Sequence, residues 1–181
     1  AEFVETGTEL SRWVGLSDRI DLHHGSALDM PFADGAFDGA MMLHVGMNIA
    51  DKVQLFAEVA RVLRPGAPFG VFDVMRIGEG DLTYPVPWSG EPATNALAPP
   101  EDYRQALARS GFMLSAERDR HAFAVEFFET LSKRIAAAGG PPPLGLHITM
   151  GETAPVKVAN MVENIGAGRI APVEMISHKP T

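Results

Sequence analysis

A histidine close to the end of a strongly apolar segment is the first residue whose type suggests chemistry. The segment 37–45 is nearly continuous in apolar residues and contains His44, and Gly46 follows it. An imidazole titrates near neutral pH, so His44 suits a general base or a group that orients a substrate. Gly46 would permit close approach of a ligand to the backbone. A hydrogen-bonded structural histidine is the alternative, and both interpretations stay open.

Two aromatic residues, Tyr84 and Trp88, lie in the segment 76–100, which is rich in Gly, Pro and polar residues. A loop of this length inside a compact domain is usually functional or disordered. We expect an ordered loop beside an active site, in which the two rings enclose a cationic or apolar molecule. Simple packing of the loop is the alternative explanation for both rings.

The sequence pattern does not favour a metal site. His23 and His24 are adjacent, and neighbouring strand residues point to opposite faces, so the two rings cannot easily share one ion. Asp29, Asp34 and Asp38 lack the spacing of a calcium-binding loop. We therefore expect no metal.

Alternating helix and strand patterns must position these residues. Periodicity and turn residues predict helices over 2–15, 51–63, 100–108, 123–138 and 156–165, and strands over 19–25, 37–45, 69–75, 112–119 and 169–177. Strand 37–45, the helix after it and strand 69–75 form one βαβ unit, which implies a right-handed parallel crossover. Strand 37–45 is apolar enough to need cover on both faces and a paired neighbour on each edge.

Composition narrows the class of protein. The chain has 181 residues, which suits a single domain, and its 15 Lys and Arg against 23 Asp and Glu leave a net charge of −8. That charge argues against binding to nucleic acid. The absence of cysteine excludes thiol chemistry and disulfides and fits a reducing compartment, so we expect a cytoplasmic protein. No apolar run is long enough to cross a membrane.

Two passages at a characteristic separation carry a family resemblance. Residues 25–38 read GSALDMPFADGAFD, and residues 62–66 read VLRPG, directly before the strand predicted over 69–75. In combination they resemble class I S-adenosylmethionine-dependent methyltransferases, in particular the small-molecule enzymes of the sarcosine/dimethylglycine and ubiquinone-biosynthesis kind. The resemblance implies an α/β fold with a Rossmann-like, doubly wound sheet, and a helical insertion over 122–166 before the last strand.

The resemblance also implies a cofactor and roles for particular residues. S-adenosyl-L-methionine would be the cofactor, bound by Gly25, Ser26, Ala27, Leu28, Asp29, Leu43 and His44. Many relatives have Asp where this chain has Ser26, so Asp29 is expected to replace the usual carboxylate. His44 would be the catalytic residue, and Gly46, Tyr84 and Trp88 would bind a small-molecule acceptor. The apolar helices between 123 and 165 would be core, a homodimer contact or part of the acceptor pocket.

Two features of the family are missing from the printed sequence. These are the glycine-rich D-x-G-x-G loop after the first strand and the acidic residue after the second strand, which holds the ribose. We expect both to precede Ala1, so that the sheet lacks its first two strands and strand 37–45 is left with one unpaired edge.

Three functions therefore stay under consideration. The first is methyl transfer from S-adenosylmethionine to an amine, hydroxyl or activated carbon of a small molecule. The second is a catalytically inactive binding or scaffold module that another chain completes. The third, a different doubly wound enzyme such as a dehydrogenase or hydrolase, would need a G-x-G-x-x-G or G-x-S-x-G motif, and the sequence has neither.

Overall fold

The structure is a computed structural model that describes residues 1–181, except for the side chain of Leu146. The helices are α1 (Glu2–Trp13), α2 (Lys52–Val62), α3 (Pro100–Arg109), α4 (His121–Ala137), α5 (Leu146–Met150) and α6 (Ala154–Gly166). The strands are β1 (Ala40–Leu43), β2 (Pro68–Arg76), β3 (Met113–Asp119) and β4 (Ile170–His178).

The four strands form one mixed sheet in the order β1-β2-β4-β3. β1 and β2 are parallel and are connected through α2, which confirms the βαβ unit predicted from the sequence. β4 lies between β2 and β3 and runs antiparallel to both. The α/β class expected from the sequence is therefore confirmed.

Helix α2 is fixed at its beginning and along its apolar face. The Asp51 carboxylate accepts a hydrogen bond from the Gln54 amide at 2.8 Å, which satisfies one of the free amides of the first turn. Phe56 is fully buried and meets the ring of Phe69 in β2, with ring centroids 5.6 Å apart. Burial of this face against the sheet, more than intrinsic helix propensity, holds the helix in place.

Two of the expected strands differ from the structure. The segment 19–25 is not a strand, because no described strand lies beside it to complete a ladder of hydrogen bonds. The strand expected over 37–45 is shorter, Ala40–Leu43, and pairs only with β2 among the described strands. It is thus an edge strand, which confirms the expected unpaired edge. Met41 is 77% exposed, so the cover expected on both faces is not found.

Three helices follow β3 and precede β4, within the stretch expected to be a helical insertion. α4 and α6 are the helices expected there, and α4 contacts both α6 and β4. The short helix α5 was not expected, because one turn after a Gly- and Pro-rich run gives no readable periodicity. Within the described residues, no helix has the length and apolar character to cross a membrane.

Candidate active site

His44 follows the last residue of β1 in an unusual backbone conformation. Its φ is 55°, in the left-handed region that residues other than glycine rarely adopt. The His44 amide donates to the Phe72 carbonyl at 2.8 Å, and the two rings lie 5.0 Å apart. Partial burial lowers the pKa of His44 below its ordinary value, so the imidazole is mainly neutral at neutral pH.

Asp73 in β2 holds the segment that follows His44. Its Oδ1 accepts from the Val45 amide at 2.9 Å, and its Oδ2 accepts from the Tyr103 hydroxyl at 2.9 Å. Both Asp73 and Tyr103 are fully buried. Burial raises the pKa of Asp73 to about 6, although the hydrogen bonds from Tyr103, Val45 and Gly46 oppose that rise. A buried carboxylate thus fixes the backbone next to His44.

Lys52 connects this polar cluster to the loop that follows β2. Its Nζ donates to the carbonyls of Ile49 and Ala96, and it lies 5.4 Å from the centroid of the Tyr103 ring. Burial lowers the pKa of the Lys52 ammonium, and the nearby carboxylate of Asp73 acts against that shift. The ammonium therefore ties the segment after β1 to the loop between β2 and α3.

An apolar cavity of about 670 Å³ opens beside His44. Its walls come from the end of β1, from β2, from the loop after β2 and from the helices between β3 and β4. The lining residues are His44, Met47, Asn48, Phe72, Val74, Pro87, Trp88, Phe123, Ala124, Phe127, Phe128, Met150, Met161, Ile165 and Pro172.

Asparagine side chains hold the loop between β2 and α3 against this cavity. The Trp88 indole donates to Asn95 Oδ1 at 3.0 Å, and Asn95 Nδ2 donates to the Tyr84 hydroxyl at 2.8 Å. Fully buried Asn164 in α6 accepts from the Thr83 amide at 3.0 Å and donates to the Thr83 carbonyl at 2.9 Å. The loop expected to be ordered is ordered by these contacts. Trp88 lines the cavity, whereas Tyr84 does not.

A second cavity, of about 390 Å³, lies along β1 and includes Ala27, Met30, Leu43 and Val45 in its walls. Next to Ala27, the Ser26 hydroxyl accepts from the Leu28 amide at 3.1 Å, and the Asp29 amide donates to the Ser26 carbonyl at 3.2 Å. The segment is therefore a tight polar turn with one apolar side. Gly25, Ser26 and Asp29 are exposed, and Ala27 and Leu28 pack against the core.

Helix α2 holds the same turn in position. Gln54 Nε2 donates to the Leu28 carbonyl at 3.0 Å, and Glu58 Oε2 accepts from the Met30 amide at 2.8 Å. Arg61 donates to the Met30 carbonyl at 2.9 Å and to both carboxylate oxygens of Glu58. The hydrogen bond from Arg61 lowers the pKa of Glu58 to about 2, so this carboxylate stays ionised at any working pH.

Four of the ten residues expected at the site line the two cavities around the end of β1. The other six line neither cavity: Gly25, Ser26, Leu28, Asp29, Gly46 and Tyr84. Ala27 and Leu43 line the smaller cavity, whereas His44 and Trp88 line the larger one. Gly46 is buried, and a Cβ there would stand 2.6 Å from the Tyr103 hydroxyl. Among the described residues, no group of three His, Asp or Glu side chains is placed to hold a metal ion.

Sequence reasoning missed the residues that support the site. Asp73 could have been noticed, because it is a lone charge inside the apolar run from Phe69 to Met75. Asn95 and Asn164 gave no such signal. Asn95 bonds to the side chains of Trp88 and Tyr84 within one irregular loop, and the Thr83 partner of Asn164 lies 81 positions away along the chain. The aromatic residues of α4 were expected to be core, a dimer contact or part of an acceptor pocket, and in the structure they line the larger cavity.

Comparison with known proteins bears on what these two cavities hold. A methyltransferase domain family matches residues 1–71, which is less than half of the chain. A rice protein (Oryza sativa subsp. japonica) named as a tocopherol O-methyltransferase is 43% identical over 63 residues, which are 35% of this chain and 17% of the rice protein.

Solved structures match over nearly the whole chain. Geranyl diphosphate C-methyltransferase from Streptomyces coelicolor, solved with S-adenosyl-L-homocysteine, superposes with a TM-score of 0.74 at 16% identity, over 99% of this chain and 59% of that one. A sarcosine/dimethylglycine methyltransferase homologue from Galdieria sulphuraria gives 0.73 at 18% identity, over 97% and 65%. The [4+2]-cyclase SpnF gives 0.71 at 22% identity, over 98% and 63%.

At these identities the structural matches establish the fold alone, and the chain spans less than two thirds of each of these proteins. The domain match covers the passage 25–38 and VLRPG at 62–66, which carried the resemblance drawn from the sequence. That resemblance is therefore confirmed: residues 1–71 match the methyltransferase domain family, and the chain has the fold of the class I S-adenosylmethionine-dependent methyltransferases.

Proposed function

We propose that this chain takes part in the transfer of a methyl group from S-adenosylmethionine to a small-molecule acceptor. The observation that carries the proposal is the division of the site at the end of β1. Leu43 opens into the smaller cavity and the next residue, His44, opens into the larger one. A donor in the smaller cavity and an acceptor in the larger one would approach each other where Leu43 and His44 adjoin. Positioning of this kind supplies much of the acceleration in a group transfer.

The smaller cavity fits the nucleoside part of the cofactor. Its apolar walls at Ala27, Met30 and Leu43 suit the faces of an adenine ring. The Ser26 hydroxyl and the Asp29 carboxylate are exposed in the turn that carries Ala27, and they suit the polar edge of the same ring. The methyltransferases named above support this assignment, since one of them was solved with S-adenosyl-L-homocysteine.

Bound S-adenosylmethionine supplies an activated methyl group, whose S–C bond breaks as the bond to the acceptor atom forms. The contribution of His44 is then to take the proton that an O–H or N–H acceptor loses, because its lowered pKa leaves the ring neutral at neutral pH. The left-handed backbone at His44 supports a functional role, since such strain is kept mainly where the surrounding structure imposes it. Asp73 and Phe72 hold that conformation through the backbone.

Label transfer tests the proposal directly. The full-length protein is incubated with methyl-labelled S-adenosylmethionine and a panel of small molecules, and we expect label in a product of low molecular mass. Cofactor binding without any label transfer would favour the alternative, a catalytically inactive binding module. The cyclase among the structural matches shows why the assay must follow the methyl group, since this fold is also found in a protein named for another reaction.

A further inference from the structure

The larger cavity has an unusually uniform chemical character. Most of its 15 lining residues are aliphatic or aromatic, and its lining contains no Asp, Glu, Lys or Arg among the described side chains. Its polar side chains are His44, Asn48 and Trp88, and the Trp88 N–H is already bonded to Asn95. Asn48 Nδ2 also donates to the Val45 carbonyl, at 3.3 Å. Among these side chains, His44 and the Oδ1 atom of Asn48 therefore remain to make polar contacts with a bound molecule.

The rim of the cavity is apolar as well. Phe123 and Phe127 on α4 stack at a centroid separation of 6.2 Å and remain 56% and 49% exposed. The Arg120 guanidinium lies 4.8 Å from the centroid of the Phe123 ring, and Arg120 does not line the cavity. A molecule that enters the cavity beside these rings loses contact with water and contacts aromatic side chains before it reaches His44.

The volume of the cavity and the flexibility of its walls also indicate which kind of molecule it binds. Its volume of about 670 Å³ lies within the range of ordinary small-molecule pockets. Met47, Met150 and Met161 contribute flexible thioether side chains to its walls, and such side chains adjust to irregular apolar shapes. A charged group buried here would lose its hydration without gaining a counter-ion, which is strongly unfavourable.

From this lining we infer the class of the acceptor, an inference that rests on the proposed function. The acceptor is a neutral, largely apolar molecule with one hydrogen-bonding group, which reaches His44 and Asn48 while its hydrocarbon part contacts Trp88 and the phenylalanines of α4. A small zwitterion, such as an amino acid, does not suit this cavity. The rice relative, whose name specifies tocopherol, is compatible with an apolar acceptor.

Trp88 provides a probe of the cavity. Residues 1–181 contain two tryptophans, and Trp13 is on α1, 67% exposed, so Trp13→Phe leaves Trp88 as the single reporter within these residues. The emission of the Trp13→Phe/Trp88→Phe protein is subtracted as the background. The full-length Trp13→Phe protein is titrated with 1-decanol, decanoate and decylammonium, all below their aggregation limits, while Trp88 emission is recorded. These probes share a hydrocarbon tail and differ in charge. We expect decanol to bind at least tenfold more tightly than either ion.

Two further variants show whether the probe occupies the cavity. Phe127→Glu places a carboxylate at the rim and should weaken decanol binding at least tenfold. Ile148→Glu makes a similar change at an α5 residue that is 58% exposed and does not line the cavity, and it should change the affinity less than twofold. Equal or tighter binding of either ion, or equal losses in the two variants, would overturn the inference.

Separate measurements distinguish this inference from the proposed function. S-adenosylhomocysteine binding and label transfer are measured on the same Trp13→Phe protein. If decanol is preferred but no cofactor binds, the proposed function fails and the character of the cavity stands. If the cofactor binds and label passes to zwitterionic acceptors more rapidly than to neutral apolar ones, the proposed function stands and the acceptor class is wrong.

Discussion

Asp73 accepts a hydrogen bond from the Val45 amide, with Oδ1 2.9 Å from the nitrogen, so that a buried carboxylate of β2 fixes the backbone that follows β1. His44 immediately precedes that bond. The catalytic candidate is therefore positioned through its neighbour by a group that solvent does not reach. This relationship leads to measurable consequences for pH dependence and for substitution at Gly46.

The first prediction concerns the titration of Asp73. Burial raises its pKa to about 6 from an ordinary value of 3.8, so the folded protein holds this proton more tightly than the unfolded chain does. The stability that this group contributes is fully present below pH 3.8 and is lost as the pH rises to about 6. A shift of this size corresponds to roughly 2–3 kcal/mol.

Asp73→Asn isolates that contribution from the other titrating groups, including the nearby Lys52. The quantity to compare is the free energy of unfolding of the wild-type protein minus that of Asp73→Asn. This difference should fall by roughly 2–3 kcal/mol between pH 4 and pH 7. Denaturant unfolding at several pH values gives the difference. A difference that does not vary with pH would show that Asp73 titrates normally.

Gly46 is predicted to tolerate no side chain. A Cβ at this position would overlap the Asp73 carboxylate and stand 2.6 Å from the Tyr103 hydroxyl. Gly46→Ala should lower the free energy of unfolding by about 1–3 kcal/mol, the usual cost of overpacking a buried site. Gly90→Ala is the matched control, because no atom lies within 4 Å of the added Cβ there. Equal stability of the two variants would contradict the packing described here.

Asn164 is predicted to order the loop that carries Trp88. Asn164→Ala leaves the amide and the carbonyl of Thr83 without their partner, at a cost of about 1–3 kcal/mol for unsatisfied buried groups. Hydrogen exchange in the segment 77–99 should accelerate more than in Asn160→Ala, which removes only the bond to the Pro85 carbonyl. Unchanged exchange in Asn164→Ala would mean that other contacts order the loop.

Trp88 is predicted to affect the acceptor and not the cofactor. Trp88→Ala removes a wall of the larger cavity and should raise KM for the acceptor by roughly tenfold, which corresponds to about 1.4 kcal/mol. The affinity for S-adenosylhomocysteine should be unchanged, and Trp13→Phe should change neither quantity. If Trp88→Ala loses cofactor binding and acceptor use together, the loop supports the whole fold and does not form an acceptor site.

The sequence predicts the helices and strands that local residue patterns determine. The Asp51 cap and the spacing of Leu55, Phe56 and Val59 mark α2, and the apolar run in β2 marks its partner, so the βαβ unit could be read directly. His44 and Trp88 could be selected because their residue types are rare in such positions. Both lie in the walls of one cavity, although the structure does not test their roles.

What could not be predicted depends on contacts between distant parts of the chain. The segment 19–25 alternates like a strand, yet a strand exists only where another strand pairs with it. His44 has a left-handed backbone that the surrounding structure imposes, and no local pattern predicts that conformation for histidine. The bond between Asn164 and Thr83 joins residues 81 positions apart, beyond any local pattern.

The cofactor site is the central claim, and Ala27 gives the most direct test of it. Isothermal titration of the full-length protein with S-adenosylhomocysteine should show one binding site. Ala27→Glu places a carboxylate in the smaller cavity and should weaken binding at least tenfold, whereas Ala33→Glu, at an exposed residue nearby, should leave the affinity unchanged. Unchanged affinity in folded Ala27→Glu protein, or no binding to the wild type, would contradict the assignment of this cavity to S-adenosylmethionine.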